Sequence, residues 1–259
     1  VSVVPARTTL SRRYKSLASV VQQLIAFLGQ HAADLDPRLA HHSLYTDKSL
    51  FKALGPVWHQ SDRLAGRIPE KLRHLDTDAT WSKSGYHGWV YGYGLHLTCT
   101  RSGFPVLAQV ETGSVAESDV IDSQAEQFWR VLTPHSVTAD NSYTRASRIR
   151  RWAQQGVILL TPATKWQKGR YAQAYHRFIQ EPSNAARLTS RRTAIEPVFD
   201  LVAKVLGTSA TQKQLPVQKL PNVRTCLSLA VLTIQLAMIA NSIWSVPLRT
   251  ISILAAVWT

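Results

Sequence analysis

Residues 134–161, PHSVTADNSYTRASRIRRWAQQGVILLT, carry the reading of the fold. HSVTAD is a short β-prone run that ends on Asp140, residues 144–155 have the composition of a basic helix, and VILLT at 157–161 is a second short apolar strand. Strand, helix and strand in alternation predict a parallel half-sheet. Upstream, WVYGYGLHLTCT (89–100) and FPVLAQVET (104–112) are two β-prone runs split by Arg101, Ser102 and Gly103, which predicts a hairpin. Apolar residues at three- and four-residue steps predict helices over 15–29, 117–132 and 189–206. Residues 53–88, rich in Gly, Pro, His and charge, show no sustained period and read as an irregular insertion. The fold class is therefore α/β.

A hydrophobic share of 45% in 259 residues supplies a sizeable core and excludes wholesale disorder. Two cysteines, Cys99 and Cys226, are too few for a disulfide framework or a four-thiolate zinc site, which favours a reducing compartment. No export signal opens the sequence at Val1, so a cytoplasmic setting is expected. Thr225 to Leu248 has no charged residue and is long enough to span a bilayer; its Thr233, Gln235, Asn241, Ser242 and Pro247 favour a buried helix over a membrane anchor.

Lys and Arg number 30 against 16 Asp and Glu, and the excess is local: residues 144–225 hold 15 basic and 3 acidic groups. Arg148, Arg151, Lys165, Lys168, Arg170, Arg191 and Arg192 fall there, interleaved with Trp152, Trp166, Tyr171 and Tyr175. Cations for phosphates beside rings for bases point to a nucleic-acid surface.

Zinc-protease, P-loop and dinucleotide signatures are missing. What stands out instead is a set of acidic residues at element ends. Asp47 lies in LYTDKSLFKALGPVWH, Asp140 closes SVTAD, and Glu196 sits in RRTAIEPVF. Phosphoryl transfer on DNA uses oxygen ligands to hold two Mg²⁺ ions about 3.5–4 Å apart, and carboxylates are the side chains suited to it. Each such residue taken alone is more often a helix cap, a turn residue or half of an ion pair.

The order of a strand-borne Asp, the GYGLHL hairpin, an ESD before a helix, ADNSY, and the RRTAIEPVF helix resembles the DDE-class transposases of bacterial insertion sequences. The likeness covers roughly residues 40 to 206. It implies an RNase H-like mixed sheet flanked by helices, with N-terminal (1–39) and C-terminal (207–259) helical segments around a catalytic domain at 40–206. It also implies two Mg²⁺ or Mn²⁺ ions on Asp47, Asp140 and Glu196, DNA as the partner, and a homodimer or larger assembly on DNA. Asp78 in LDTDATW, or less so Asp76, competes with Asp47 for the first carboxylate; the flanks of Asp47 read more like a strand end. Many relatives have a Tyr three residues before the Arg and a Lys seven after the Glu, where this chain has Thr189 and Ala203, with Lys204 next. Asp119 matches an acidic position that supports the site or simply meets the helix dipole. A nuclease of the same fold that cuts without joining, and an inactive DNA-binding remnant, share most of these features.

Overall fold

The computed structural model describes residues 6–85, 88–162 and 169–251. In chain order the elements are α1 (Arg7–Leu35), β1 (Ser43–Lys52), α2 (Gln60–Leu64), β2 (Thr80–Ser84), β3 (Gly88–Thr100), β4 (Pro105–Thr112) and α3 (Glu117–Ser123). There follow β5 (Ser136–Thr138), α4 (Ala146–Gln154), β6 (Ile158–Leu160), α5 (Arg170–Gln180), α6 (Pro182–Val205) and α7 (Leu220–Ile243).

One six-stranded mixed sheet joins the expected hairpin to the expected parallel half-sheet. β1 is the link: it pairs antiparallel with β3 on one side and parallel with β5 on the other, and β6 continues the parallel side. β4 and β2 both pair antiparallel with β3. This is the RNase H-like mixed sheet flanked by helices.

Strand periodicity then sorts the side chains of β1. Tyr45, Asp47, Ser49 and Phe51 share one face, and Thr46 and Lys48 the other. α6 lies on the first face, where the Tyr45 hydroxyl is 3.1 Å from Ser190 Oγ. Close approach of β1 and β3 requires Gly92, since a Cβ there would stand 1.9 Å from the Phe51 carbonyl oxygen. Gly29 similarly lets α1 settle on β4, its added Cβ falling 2.8 Å from Val106 Cα.

Several boundaries differ from expectation for physical reasons. Residues 53–88 are not wholly irregular: they carry α2 and the strand β2, which lacks a buried residue and so leaves no apolar alternation to read. The helix expected over 117–132 ends at Ser123, and a wide-turn helical segment, Gln127–Leu132, follows it before Thr133 turns left-handed at φ 42°. α6 starts earlier than residue 189, with Pro182 in its first turn, and continues through Pro197. An internal proline frees the carbonyl four residues back. Arg249 supplies the missing donor, its Nη1 reaching the Thr193 oxygen at 3.0 Å.

α7 is long and apolar enough to cross a membrane, and half of its most apolar window is buried. It packs beside α1 and across β4; Gln235 Nε2 donates to the carbonyls of Ile25 (2.9 Å) and Pro105 (2.8 Å).

Candidate active site

The parallel register that sets Tyr45 opposite Thr138 brings Asp47 and Asp140 into line two residues further on. Asp47 is mid-strand on β1, not at a strand end, and Asp140 follows β5 directly. α6 brings Glu196 over the same sheet end. All three line one open cavity of about 630 Å³, together with Lys48, Glu117, Ser142, Arg191, Arg192, Asp200 and Lys213.

Each acid has its own surroundings. Asp47 pairs with the Arg191 guanidinium and accepts the Lys48 backbone N–H at 2.9 Å. Burial pushes its carboxyl above the usual range; Arg191 opposes that shift and Asp140 adds to it. Asp140 accepts the Ser142 N–H at 2.8 Å and so fixes the turn at 141–143. The Ser142 hydroxyl bonds both Asp140 and Glu117. Glu196 is 59% exposed and faces Arg192, one turn back, at 3.7 Å. Lys213 Nζ donates to Ser49 Oγ at 2.9 Å, and burial holds that ammonium below its ordinary pKa.

Glu117 is pushed up to about 7, first by burial, then by Asp140 and Asp47. An acid whose folded pKa is raised takes up a proton on folding, so its contribution to stability is full at acid pH and declines as pH rises through about 7. Without divalent ions, the urea midpoint is expected to fall between about pH 5 and about pH 8, and Glu117→Gln should flatten that fall. Parallel unfolding curves for the two proteins check it.

The other sequence candidates separate clearly. Asp78 does not line the cavity: its Oδ2 accepts the Leu220 N–H at 3.0 Å, at the start of α7, and Lys219 Nζ is 3.8 Å from Oδ1. Asp76 is fully buried and accepts from Tyr93 Oη (2.8 Å) and the Lys219 N–H (3.0 Å). Both anchor the helix N-terminus, where free N–H groups favour carboxylates. Asp119 is exposed and lies outside the cavity lining. Lys165, Lys168 and Trp166 lie outside the described residues.

Arg148 is not a surface cation. Only 4% of its side chain is exposed; Nε and Nη2 bond Asp122 at 2.8 Å each, and Nη1 bonds the Tyr143 carbonyl at 2.8 Å. It ties α4 to α3 and to the turn after Asp140. Arg148→Met is expected to cost about 2–3 kcal/mol, below the range for a fully buried pair because Asp122 is 40% exposed. Urea unfolding measures the loss, and DNA affinity per folded molecule should not change.

Trp152 and Tyr175 are likewise core residues and offer no free ring to a base. Arg151 and Arg170 are exposed, and Arg151 stacks 4.8 Å from the centre of the Trp129 ring. Arg191 lines the cavity and is held by Asp47, whereas Arg192 is exposed at its rim.

Sequence reasoning missed Glu117, Ser142, Lys48, Asp200 and Lys213. The ESD motif did mark the start of α3, but nothing in its spacing distinguished Glu117 from Asp119.

Residues 58–214 match the model of the transposase DDE domain family. The chain belongs to that family. In this DDE transposase domain Asp140 and Glu196 fall inside the matched residues, and Asp47 lies upstream of them. No curated protein matches the chain. The family implies DNA as partner and, in general, divalent metal ions. Among the described residues no three His, Cys, Asp or Glu side chains stand gathered as a metal-binding group. Arginines pair with two of the three expected carboxylates, Asp47 and Glu196. The donor set is nonetheless all carboxylate oxygen, the chemistry that suits hard divalent cations.

Proposed function

We propose that the protein is a DNA transposase that cleaves transposon ends and transfers the freed strand to target DNA, using Asp47, Asp140 and Glu196 to hold two Mg²⁺ or Mn²⁺ ions. One observation carries this reading: carboxylates 93 and 56 positions apart along the chain meet in a single cavity within a DDE-family fold. Divalent ions, when bound, polarise the attacking oxygen and neutralise the leaving one.

The residues of the chain divide the remaining work. Asp47 on β1 and Asp140 just past the end of the adjacent parallel strand β5 set the floor of the cavity, and Glu196 closes one side from α6. Arg191 pairs with Asp47. Arg192, at the rim, is placed to meet a DNA phosphate, with Arg151 and Arg170 further out on the basic surface. In the first reaction water attacks a phosphodiester at the element end, the P–O3′ bond breaks, and a 3′ hydroxyl leaves. In the second that hydroxyl attacks a target phosphodiester, whose own P–O3′ bond breaks. Pairing of two ends calls for a homodimer or larger assembly, acting in the bacterial cytoplasm at the nucleoid.

The test is a strand-transfer assay with labelled element-end DNA, a target plasmid and Mg²⁺ or Mn²⁺. Joined product supports transposition. Nicks without joined product would show a nuclease, and binding with neither product an inactive remnant. Glu196→Gln should remove both products and leave DNA binding in place.

A further inference from the structure

We infer that the outer face of α1 is a self-association surface, on which a second copy of the chain docks its own α1 in antiparallel orientation. The inference gives the assembly proposed above a contact surface. It rests on that reading only for its purpose, since none of the residues of this face lines the cavity.

α1 carries two apolar faces, and the fold covers one of them. Ala18, Val21, Ile25, Gly29 and Ala32 are buried where the helix packs on β4 and α7. Leu10, Leu17, Val20, Leu24 and Phe27 are between 40% and 59% exposed. Apolar residues scattered singly over a surface are ordinary. These five are not scattered: with Arg13, His31 and Asp34 they fill positions 10, 13, 17, 20, 24, 27, 31 and 34, the alternating three- and four-residue steps by which one helix packs along another.

Charge decides which partner the seam fits. A chain of net charge +14 repels its own copy wherever two basic surfaces meet. From Ser16 to Ala33, however, α1 has no Lys, Arg, Asp or Glu, so along this seam two copies approach without that penalty. A helix built to lie on a lipid surface flanks its apolar face with Lys and Arg. Here the solvent-side flank is Ser16, Ser19, Gln23 and Gln30.

Orientation follows from the two ends of the seam. Arg13 and Asp34 are its only Lys, Arg, Asp or Glu residues; they stand at opposite ends with opposite sign. Parallel pairing would set Arg13 against Arg13 and Asp34 against Asp34. In antiparallel pairing Leu17 faces the partner's Phe27 and Val20 faces the partner's Leu24, which two-fold symmetry turns into four apolar layers. Each Arg13 then falls beside the partner's His31, one layer from the partner's Asp34. The Asp34 carboxylate is 81% exposed and has His31 Nδ1 at 3.6 Å, so it is open to that guanidinium. Because α1 is already held on β4 and α7, docking orders no new backbone.

Sedimentation velocity of the full chain over a concentration series, without DNA or metal, is the test, and a monomer–dimer equilibrium is the expected result. Leu24→Glu places an unpaired carboxylate in the central layers and should raise the dissociation constant at least about tenfold. Arg13→Glu and Asp34→Arg should each weaken the dimer roughly two- to fivefold, and the two together should restore it. Urea unfolding confirms that each variant is folded; should Leu24→Glu not fold, Val20→Glu, at a position 59% exposed, replaces it. A chain that stays monomeric at every concentration, or a dimer indifferent to the seam variants, would overturn the assignment whatever the strand-transfer assay shows. A double charge variant as weak as the single ones would overturn the antiparallel pairing. Flotation with phosphatidylcholine vesicles by the wild type but not by Leu24→Glu would assign the seam to a lipid surface instead. An intact dimer that yields no joined DNA would count against the transposase reading alone.

Discussion

Asp140→Asn is expected to lower divalent-metal-dependent nicking of element-end DNA by at least about 10²–10³-fold, a loss of roughly 3–4 kcal/mol of transition-state stabilisation. The substitution removes a charge and little else. Asp140 accepts the Ser142 N–H, and the amide oxygen of asparagine can accept the same bond, so the turn at 141–143 should persist. DNA binding should persist as well, because the exposed arginines are untouched. Single-turnover nicking with the two proteins at equal bound DNA makes the comparison. Undiminished nicking would remove Asp140 from the chemistry, and loss of DNA binding together with nicking would show a folding defect instead.

Trp152→Ala is expected to destabilise the protein by about 3–5 kcal/mol, the usual cost of truncating a large buried aromatic ring. Trp152 is 1% exposed, and its ring lies 5.1 Å from that of Phe128 and 5.9 Å from that of Trp129. The three rings fill the space between α4 and the wide-turn segment at 127–132. A role in stacking on DNA bases would predict the opposite pattern, with unchanged stability and weakened binding. Urea unfolding alongside DNA titration separates the two outcomes. Arg151→Ala is the useful companion, since its side chain is exposed and its loss should affect DNA binding far more than the urea midpoint.

Much of this fold is legible in the sequence because its elements carry strong local periods. The β3–β4 hairpin announces itself through β-branched and aromatic runs broken at Gly103, and β5–α4–β6 through two apolar strands flanking a basic helix. β2 escaped because an edge strand needs no buried face. The candidate site was legible to the extent that a motif marks it: Asp140 and Glu196 stand in ADNSY and RRTAIEPVF, and Asp47 in a strand.

What the sequence left open depended on partners far along the chain. Asp47 and Asp78 compete on local grounds, and long-range packing separates them: Asp47 lines the cavity, whereas Asp78 caps the start of α7, 142 positions away. Arg148 and Trp152 looked like DNA contacts because charge and aromaticity say nothing about depth. A helix of alternating exposed and buried cations requires knowledge of its neighbours, here Asp122 and Phe128. Glu117 enters the cavity only through the geometry of the loop after β4.

The union of α1 with α7 bears on how the chain reaches this state. Tyr14, Ile25 and Asp36 along the first helix are bonded by Thr225, Gln235 and Ser242 along the last, so the two run side by side in the same direction. During synthesis residues 7–35 therefore leave the ribosome long before their covering partner exists. The face of that helix that buries Val21, Ile25 and Ala32 lacks its covering helix until residues 220–243 arrive. Such long-range closure slows folding and lengthens exposure to aggregation. The last helix thus acts as the latch of the whole domain, completing a layer whose other half was made first.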